Sequence, residues 1–451
     1  MATALIVLAA GQGTRMNSEL PKVLHPLGGV PLVVHAMQSG ATVDPDKIVV
    51  VAGHGFDAVQ KAVLAHNPDA TVVEQEEQLG TGHAVLQAKE ALADFDGDVI
   101  VVFGDTPFVR PETIAEMVAA RANGSDIVML GFIAADPGRY GRMVVRDGQF
   151  ERIVEAKDAT GEELAITLCN SGLVAADAAT LFDLLQTIGN DNASGEYYLT
   201  DIVASGRKQG LSASVVTCDE AETLGINTRA QLANAEALFQ AAKRAEALEN
   251  GVTLIAPDTV FFAFDTVIGR DAVVEPNVVF GPDVTIESGA TIRAFSHLEG
   301  CHVSRDAVVG PYARLRPGAE LAEGAKVGNF VEVKNALIQE GAKVNHLSYI
   351  GDASIGARSN IGAGTITCNY DGFMKHRTEI GEGAFIGSNT MLVAPVTVGN
   401  EAMTATGSVI NKNVPDGALA LARARQETKP GMARKLFEKL KAAKAKRDKG
   451  A

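Results

Sequence analysis

The chain reads as two folds in series: an α/β domain on a mostly parallel sheet, then a parallel β-helix, with a helical connector between them. Three observations carry this reading. Short β-rich runs alternate with helical patterns over residues 1–228, a stretch free of Gly and Pro follows over 229–249, and an aliphatic residue then recurs at every sixth position for about 140 residues.

The first segment opens with the apolar run ALIVLAA, followed by a helical pattern over 30–40. KIVVVAG, a helical pattern over 56–66, TVVEQ, a helical pattern over 82–93 and DVIVVFGD continue the alternation. Such alternation builds a mostly parallel sheet with helices on both faces, and ligands bind these sheets at the carboxyl ends of the strands. The connector RAQLANAEALFQAAKRAEALE is rich in strong helix formers, and Asn250-Gly251 supplies its C-terminal stop.

The six-residue series occupies residues 250–451 with the tail. It runs Ile268, Val274, Phe280, Ile286, Ile292 and Leu298, slips by one residue to Val303, and continues through Val309, Leu315, Leu321, Val327 and Val333. It slips again to Ile338, Val344 and Ile350, passes Ile355 and Ile361, and resumes from Ile380 to Ile410 after an interruption at 365–377. A period of six is the signature of a parallel β-helix, whose short strands stack coil on coil and turn their aliphatic residues inward. The interruption, TITCNYDGFMKHR, reads as a loop ejected from the prism, and excursions of this kind carry function.

With 451 residues and 46% hydrophobic content the chain holds two or three cores, which excludes a disordered protein. Nine Lys/Arg against Glu438 and Asp448 give residues 429–451 a charge of +7 within a chain of −15, so the preceding residues carry −22. The tail reads as a solvated, partly helical segment on an acidic body, with no nucleic-acid partner expected. No run approaches the roughly 18 apolar residues of a membrane span. No cation precedes the first apolar run, so it reads as a first strand rather than the core of a leader peptide. Cys169, Cys218, Cys301 and Cys368 show no metal-binding spacing, and reduced thiols in the cytoplasm are expected.

The stretch LAAGQGTRMNSELPK at 8–22 contains G-x-G, but Met16 stands where a dinucleotide fingerprint needs its third glycine. It offers instead the amides of Gly11 and Gly13 with two cations, Arg15 and Lys22, which suits a nucleoside triphosphate. LAAGQGTRM with PK resembles the signature of sugar-1-phosphate nucleotidyltransferases, joined in order by EQLGTGHA, FGDTP, YGR, IVEAKDA and GEYYLTD. The combination is most similar to the bacterial family of bifunctional N-acetylglucosamine-1-phosphate uridyltransferase/glucosamine-1-phosphate acetyltransferases.

That resemblance implies a Rossmann-like nucleotidyltransferase domain and a left-handed β-helix. It assigns Arg15 and Lys22 to catalysis at the triphosphate and the uridine contacts to Leu8, Ala9, Ala10, Gly11, Gln75, Gly80 and Thr81. Gly141, Glu155, Asn170 and Asn227 would contact the sugar phosphate, and Asp105 with Asn227 would hold Mg²⁺, whose octahedron is completed by water and phosphates. Taken singly, Asp105 would be as well explained as a turn residue at a strand end, and Asn227 as the N-cap of the connector helix.

The stretch 345–372, NHLSYIGDASIGARSNIGAGTITCNYDG, resembles the acetyltransferase site of the same family. There His346 corresponds to a general base, a task suited to a side chain that ordinarily titrates near neutral pH. The resemblance assigns the amino-sugar phosphate to Arg316, Lys334, Tyr349 and Asn360, and acetyl-CoA to Ala363, Asn369, Tyr370, Ser388, Thr406 and Arg423. Thr406 matches a position where some relatives carry Ala, so its part would be played by the backbone. From spacing alone, Arg316 and Lys334 lie 18 residues apart and therefore stack one coil apart.

The implied activity is synthesis of UDP-N-acetylglucosamine, a cell-wall precursor, from glucosamine 1-phosphate, acetyl-CoA and UTP, by a homotrimer assembled through the β-helix. Two other readings remain at this stage. One is a uridylyltransferase whose β-helix is only a scaffold, and the other a non-enzymatic solenoid with a nucleotide sensor.

Overall fold

A computed structural model describes residues 2–449. The chain divides into two compact units, Met1–Ala245 with Phe262–Phe264, and Glu246–Phe261 with Asp265–Ala451.

The first unit contains strands β1 (Thr3–Ala9), β2 (Pro26–Leu27), β3 (Val30–Pro31), β4 (Lys47–Ala52), β5 (Thr71–Glu74), β6 (Asp98–Phe103), β7 (Ile127–Ile133), β8 (Arg142–Arg146), β9 (Gln149–Val154), β10 (Leu168–Asp177) and β11 (Ala213–Cys218). Its helices are α1 (Leu32–Gln38), α2 (Phe56–His66), α3 (Thr81–Leu86), α4 (Pro111–Ala122), α5 (Gly161–Leu164), α6 (Ala178–Leu185) and α7 (Asp201–Lys208), and α8 (Arg229–Glu249) follows.

The main sheet has the order β11-β7-β10-β6-β1-β4-β5, with the β8-β9 hairpin attached to β10. Every pair along this order is parallel except those made by β10, which runs antiparallel to both β6 and β7. The reversal comes with the β8-β9 hairpin: β9 turns back on β8, and β10 keeps the direction of β9, both running antiparallel to β8.

All seven residues of β1 are buried, and their side chains divide by the two-residue period of a strand. Ala4, Ile6 and Leu8 enter one core with Val99 and Val101, while Leu5, Val7 and Ala9 enter the other with Ile100 and Val102. At the carboxyl ends Leu8 pairs with Phe103, which brings the segments 10–22 and 104–110 side by side.

The second unit is a stack of short parallel strands in hexads. One inward column runs Val274, Ile292, Val309, Val327, Val344, Ile361, Ile386 and Thr404, each paired with the next. A second runs from Ile268 through Ile286, Val303, Leu321, Ile338, Ile355 and Ile380 to Val398. A third contains Phe280, Leu298, Leu315, Val333 and Ile350. Nearly all are fully buried; Ile268, which has a stacked neighbour on one side only, is half-buried.

The ejected loop is shorter than the sequence implied. Ile366–Cys368 is a strand within the stack, with Thr367 fully buried and paired to Leu392, so the excursion spans 369–377. Thr367 replaces an aliphatic residue at no polar penalty: Gly351 N–H donates to its Oγ1 (2.8 Å), and the hydroxyl donates to Gly351 O (3.0 Å).

The glycines of the repeated IG and VG pairs have a steric cause. A Cβ on Gly328 would stand 2.0 Å from Asn345 O, and one on Gly387 would stand 2.5 Å from Thr406 N. Successive coils approach too closely there for any side chain. At one corner of the prism Phe295, Tyr312, Phe330 and Leu347 all adopt positive φ and are exposed, with ring centroids stacked 4.9 and 5.2 Å apart. The chain ends in α9 (Met432–Lys449). No helix among the described residues is long and apolar enough to cross a membrane.

Candidate active sites

In the first unit the Gly-rich loop after β1 folds back onto Lys22. Gly13 has φ 61°, and a Cβ there would lie 2.5 Å from Lys22 Cβ, so the turn requires glycine. Met16, in place of a third glycine, is buried and anchors the turn.

Lys22 lies against the Asp105 carboxylate and donates from Nζ to Asn227 Oδ1 (3.0 Å), and Arg15 donates to the same oxygen (2.9 Å). Ile226 N–H donates to Asp105 O (2.9 Å), which ties the last of these segments to the strand end. Asn227 is not the N-cap of α8. Thr228 takes that part, its hydroxyl accepting from Gln231 N–H (3.2 Å) and its carbonyl from Leu232 N–H (2.9 Å), so Asn227 Oδ1 faces the two cations.

Beside this cluster is a cavity of about 290 Å³, lined by Leu8, Ala9, Ala10, Gly11, Lys22, Gln75, Gly80, Thr81 and Asp105 among others. Gly80 has φ 114°, and a Cβ there would stand 2.7 Å from Tyr197 O, so its backbone packs against the GEYY segment. Gln78 and Glu196 also line the cavity and were not singled out in the sequence, although each lies inside a quoted motif. Gln78 Nε2 donates to Ala10 O (2.7 Å) and so closes the loop over the cavity.

Gly141, Glu155 and Asn170 come together outside that lining. Asn170 N–H donates to Gly141 O (2.9 Å), and a Cβ on Gly141 would stand 3.2 Å from Glu155 Oε1. Burial raises Glu155 above the usual carboxylate range, helped by the charges of Asp201 and Asp158. Arg142, 2% exposed, has no carboxylate partner among the described residues: its guanidinium donates to the carbonyls of Pro137 (3.2 Å), Gly138 (3.1 Å) and Tyr140, clamping the turn that presents Gly141.

In the second unit the pairing of Asn329 with His346 starts a line along one edge of the prism. His346, Ala363, Ser388 and Thr406 each stand two residues beyond an inward residue of the first column, so they stack coil upon coil. His346 is exposed, and its Nδ1 is 2.7 Å from Asn329 Oδ1. An amide oxygen can only accept, so this contact is made by Nδ1–H, and in the neutral ring the lone pair then falls on Nε2. Asn329 was missed in the sequence, although it lies one coil before His346, because the slip in the hexads makes that coil 17 residues long where Arg316 and Lys334 are 18 apart.

Arg423 donates to Thr406 O (2.7 Å), so the backbone of Thr406 is what this cation touches. Arg316 and Lys334 stack one coil apart, with Arg316 N–H donating to Val333 O (2.9 Å), and Arg316 is held by Glu332 (2.8 Å). Lys375, from the ejected segment, lies against Lys334 and pushes it below the ordinary lysine range. No local pattern marked Lys375, because its approach depends on how the loop returns. Tyr349 pairs with Glu332, while Asn360 belongs to a different sheet of the prism from Lys334 and Tyr349. Asn369 donates to Asp352, and Tyr370 OH donates to Gly372 O (2.6 Å) on the exposed loop.

Comparison with known proteins agrees with both halves. Residues 5–166 match the MobA-like NTP transferase domain, and residues 265–300 and 377–412 match the bacterial transferase hexapeptide family of six repeats, consistent with a left-handed β-helix. The chain is 67% identical over 450 residues to the bifunctional protein GlmU of Ruegeria sp. (strain TM1040), covering 100% of both chains. It is 64% identical over 441 residues to that of Jannaschia sp. (strain CCS1), covering 98% of this chain and 97% of the relative. It is also 67% identical over 449 residues to that of Ruegeria pomeroyi, covering 100% of both. Full-length identity of this order, with both domain types in the same sequence, makes the chain a member of the GlmU family of bifunctional proteins.

Proposed function

We propose that the chain makes UDP-N-acetylglucosamine in two steps, acetylating glucosamine 1-phosphate in its β-helix and uridylylating the product in its α/β domain. The observation that carries the second step is the meeting of Arg15, Lys22, Asp105 and Asn227 at the carboxyl edge of the sheet, next to a cavity of nucleoside size.

In uridylyl transfer a phosphate oxygen of N-acetylglucosamine 1-phosphate attacks the α-phosphorus of UTP, and the bond to the β-phosphate breaks to release pyrophosphate. The nucleophile is already anionic, so no protein base is needed and positioning with charge neutralisation carries the rate. Arg15 and the loop amides hold the triphosphate, and Lys22 neutralises charge at the reacting phosphorus.

Asp105 and Asn227 turn their side-chain oxygens to one cation, now the Lys22 ammonium. Two hard oxygens suit Mg²⁺ bound together with substrate phosphates, and no cluster of three His, Cys, Asp or Glu capable of holding a metal occurs among the described residues. When bound there, Mg²⁺ would neutralise phosphate charge. Gly141, Glu155 and Asn170 orient the sugar, with Arg142 holding their turn.

In acetyl transfer the amine of glucosamine 1-phosphate attacks the thioester carbonyl, the C–S bond breaks and CoA leaves as its thiolate. His346 Nε2 takes the amine proton, and Asn329 holds the ring in the tautomer that can do so. Arg316, Lys334 and Lys375 grip the sugar phosphate with Tyr349 and Asn360, while Ala363, Asn369, Tyr370, Ser388, Thr406 and Arg423 receive acetyl-CoA. Placement of Asn360 on another sheet supports a site completed by a neighbouring chain, and the exposed stacked rings at the prism corner support a homotrimer. Free thiols at the four cysteines support a reducing, cytoplasmic setting.

The test is the intact protein with glucosamine 1-phosphate, acetyl-CoA, UTP and Mg²⁺. UDP-N-acetylglucosamine should accumulate. Uridylyl transfer without any acetylation would leave the β-helix as a scaffold, and no turnover in a folded protein would refute both steps.

A further inference from the structure

We propose that α9 is a membrane-surface helix that docks the protein on a leaflet rich in anionic phospholipid. Its described side chains, Met432 to Asp448, are all exposed, as is the segment 423–431 that leads to it. Four large apolar groups are among them: Met432 at 56%, Leu436 at 54%, Phe437 at 63% and Leu440 at 55% exposure.

Their spacing is not random. At 100° per residue Met432, Ala433, Leu436, Phe437 and Leu440 fall within a sector of about 140° that contains no charge over the first nine residues. Arg434, Lys435, Lys439 and Lys441 lie outside that sector, and Lys444, Lys446, Arg447 and Lys449 extend the cationic run. An apolar stripe flanked by lysines suits the headgroup boundary, where the stripe enters the acyl region and long cationic side chains reach back to phosphates.

The charge distribution selects the occupant. Residues 429–451 carry +7 on a chain whose remainder is −22, so the attraction to an anionic surface resides in this one segment. Repulsion of the acidic body is screened beyond a Debye length of about 8 Å at physiological salt. The phosphate backbone of a nucleic acid would satisfy the cations and leave Leu436, Phe437 and Leu440 in water. The combination of a short apolar stripe with a polybasic run is what reversible membrane attachment requires. Transmembrane insertion is not available to so charged a helix.

Flotation of the full chain with vesicles of phosphatidylcholine, with and without phosphatidylglycerol, tests this. Binding is expected only with phosphatidylglycerol, weakening as salt is raised. The double variant Leu436→Ser/Phe437→Ser, which keeps the charge, should lose about tenfold or more of that binding, with uridylyl transfer unchanged as the control for folding. Absence of binding to phosphatidylglycerol vesicles overturns the proposal. So does binding that survives the double variant, which would reduce α9 to a simple polycation, or a changed oligomeric state of that variant by light scattering, which would make the stripe a contact between copies.

Discussion

His346 has one ring nitrogen engaged by its neighbour: Nδ1 lies 2.7 Å from Oδ1 of Asn329 on the preceding coil. Asn329→Ala removes a single hydrogen bond worth about 1 kcal/mol, so acetyl transfer should slow by roughly fivefold while uridylyl transfer is unaffected; equal rates for variant and parent would deprive Asn329 of its positioning part. Glu155 supplies a second residue-scale prediction. Its carboxyl is raised by burial and by Asp201, so kcat/KM for N-acetylglucosamine 1-phosphate should rise with pH as Glu155 ionises, above the ordinary carboxylate range. Asp201→Asn removes a like charge, lowers the Glu155 pKa and should move that acid limb to lower pH; an unmoved limb would assign it to another group. What could be read from the sequence at this scale was whatever lay inside a contiguous motif. Arg142 stood in one, but its clamp on three carbonyls depends on the fold of the turn, and Lys375 reaches Lys334 only through the path of the ejected loop.

The strands and coils show why the hexad period was legible. Every coil must present an inward residue at the same height, so aliphatic side chains recur wherever the register is kept. Thr367 broke the pattern because its hydroxyl is satisfied by the Gly351 backbone, which a reading for apolar residues alone passes over. Thr367→Val keeps the shape but leaves Gly351 N–H buried without that acceptor, and should cost about 1–3 kcal/mol in chemical denaturation; an unchanged midpoint would mean the coil relaxes around it. Gly328→Ala is expected to act at a distance of one coil. Its methyl group would meet Asn345 O, displacing the strand that ends in His346, so acetyl transfer and stability should fall together, the latter by about 1–3 kcal/mol. The reversed β10 was invisible in the sequence because its direction follows from the β8-β9 hairpin before it, not from any residue within β10.

For the whole molecule, the alternation of elements, the connector and the hexads were enough to separate two folds, since each relies on a different period. Function was less local. The Gly-rich loop proposed to hold the triphosphate depends on Asp105 and Asn227, which lie far along the chain and meet Lys22 only in the folded domain. Two chemistries on one chain predict that they fail separately. The most direct measurement is formation of UDP-N-acetylglucosamine by the His346→Ala protein from each of two starting sugars, with UTP and Mg²⁺ present and acetyl-CoA supplied. Starting from glucosamine 1-phosphate, product should form about 10²–10⁴-fold more slowly than with the parent, whereas from N-acetylglucosamine 1-phosphate the rate should be unchanged. Undiminished product from glucosamine 1-phosphate would contradict a base at His346, and loss from both sugars would contradict the independence of the two sites.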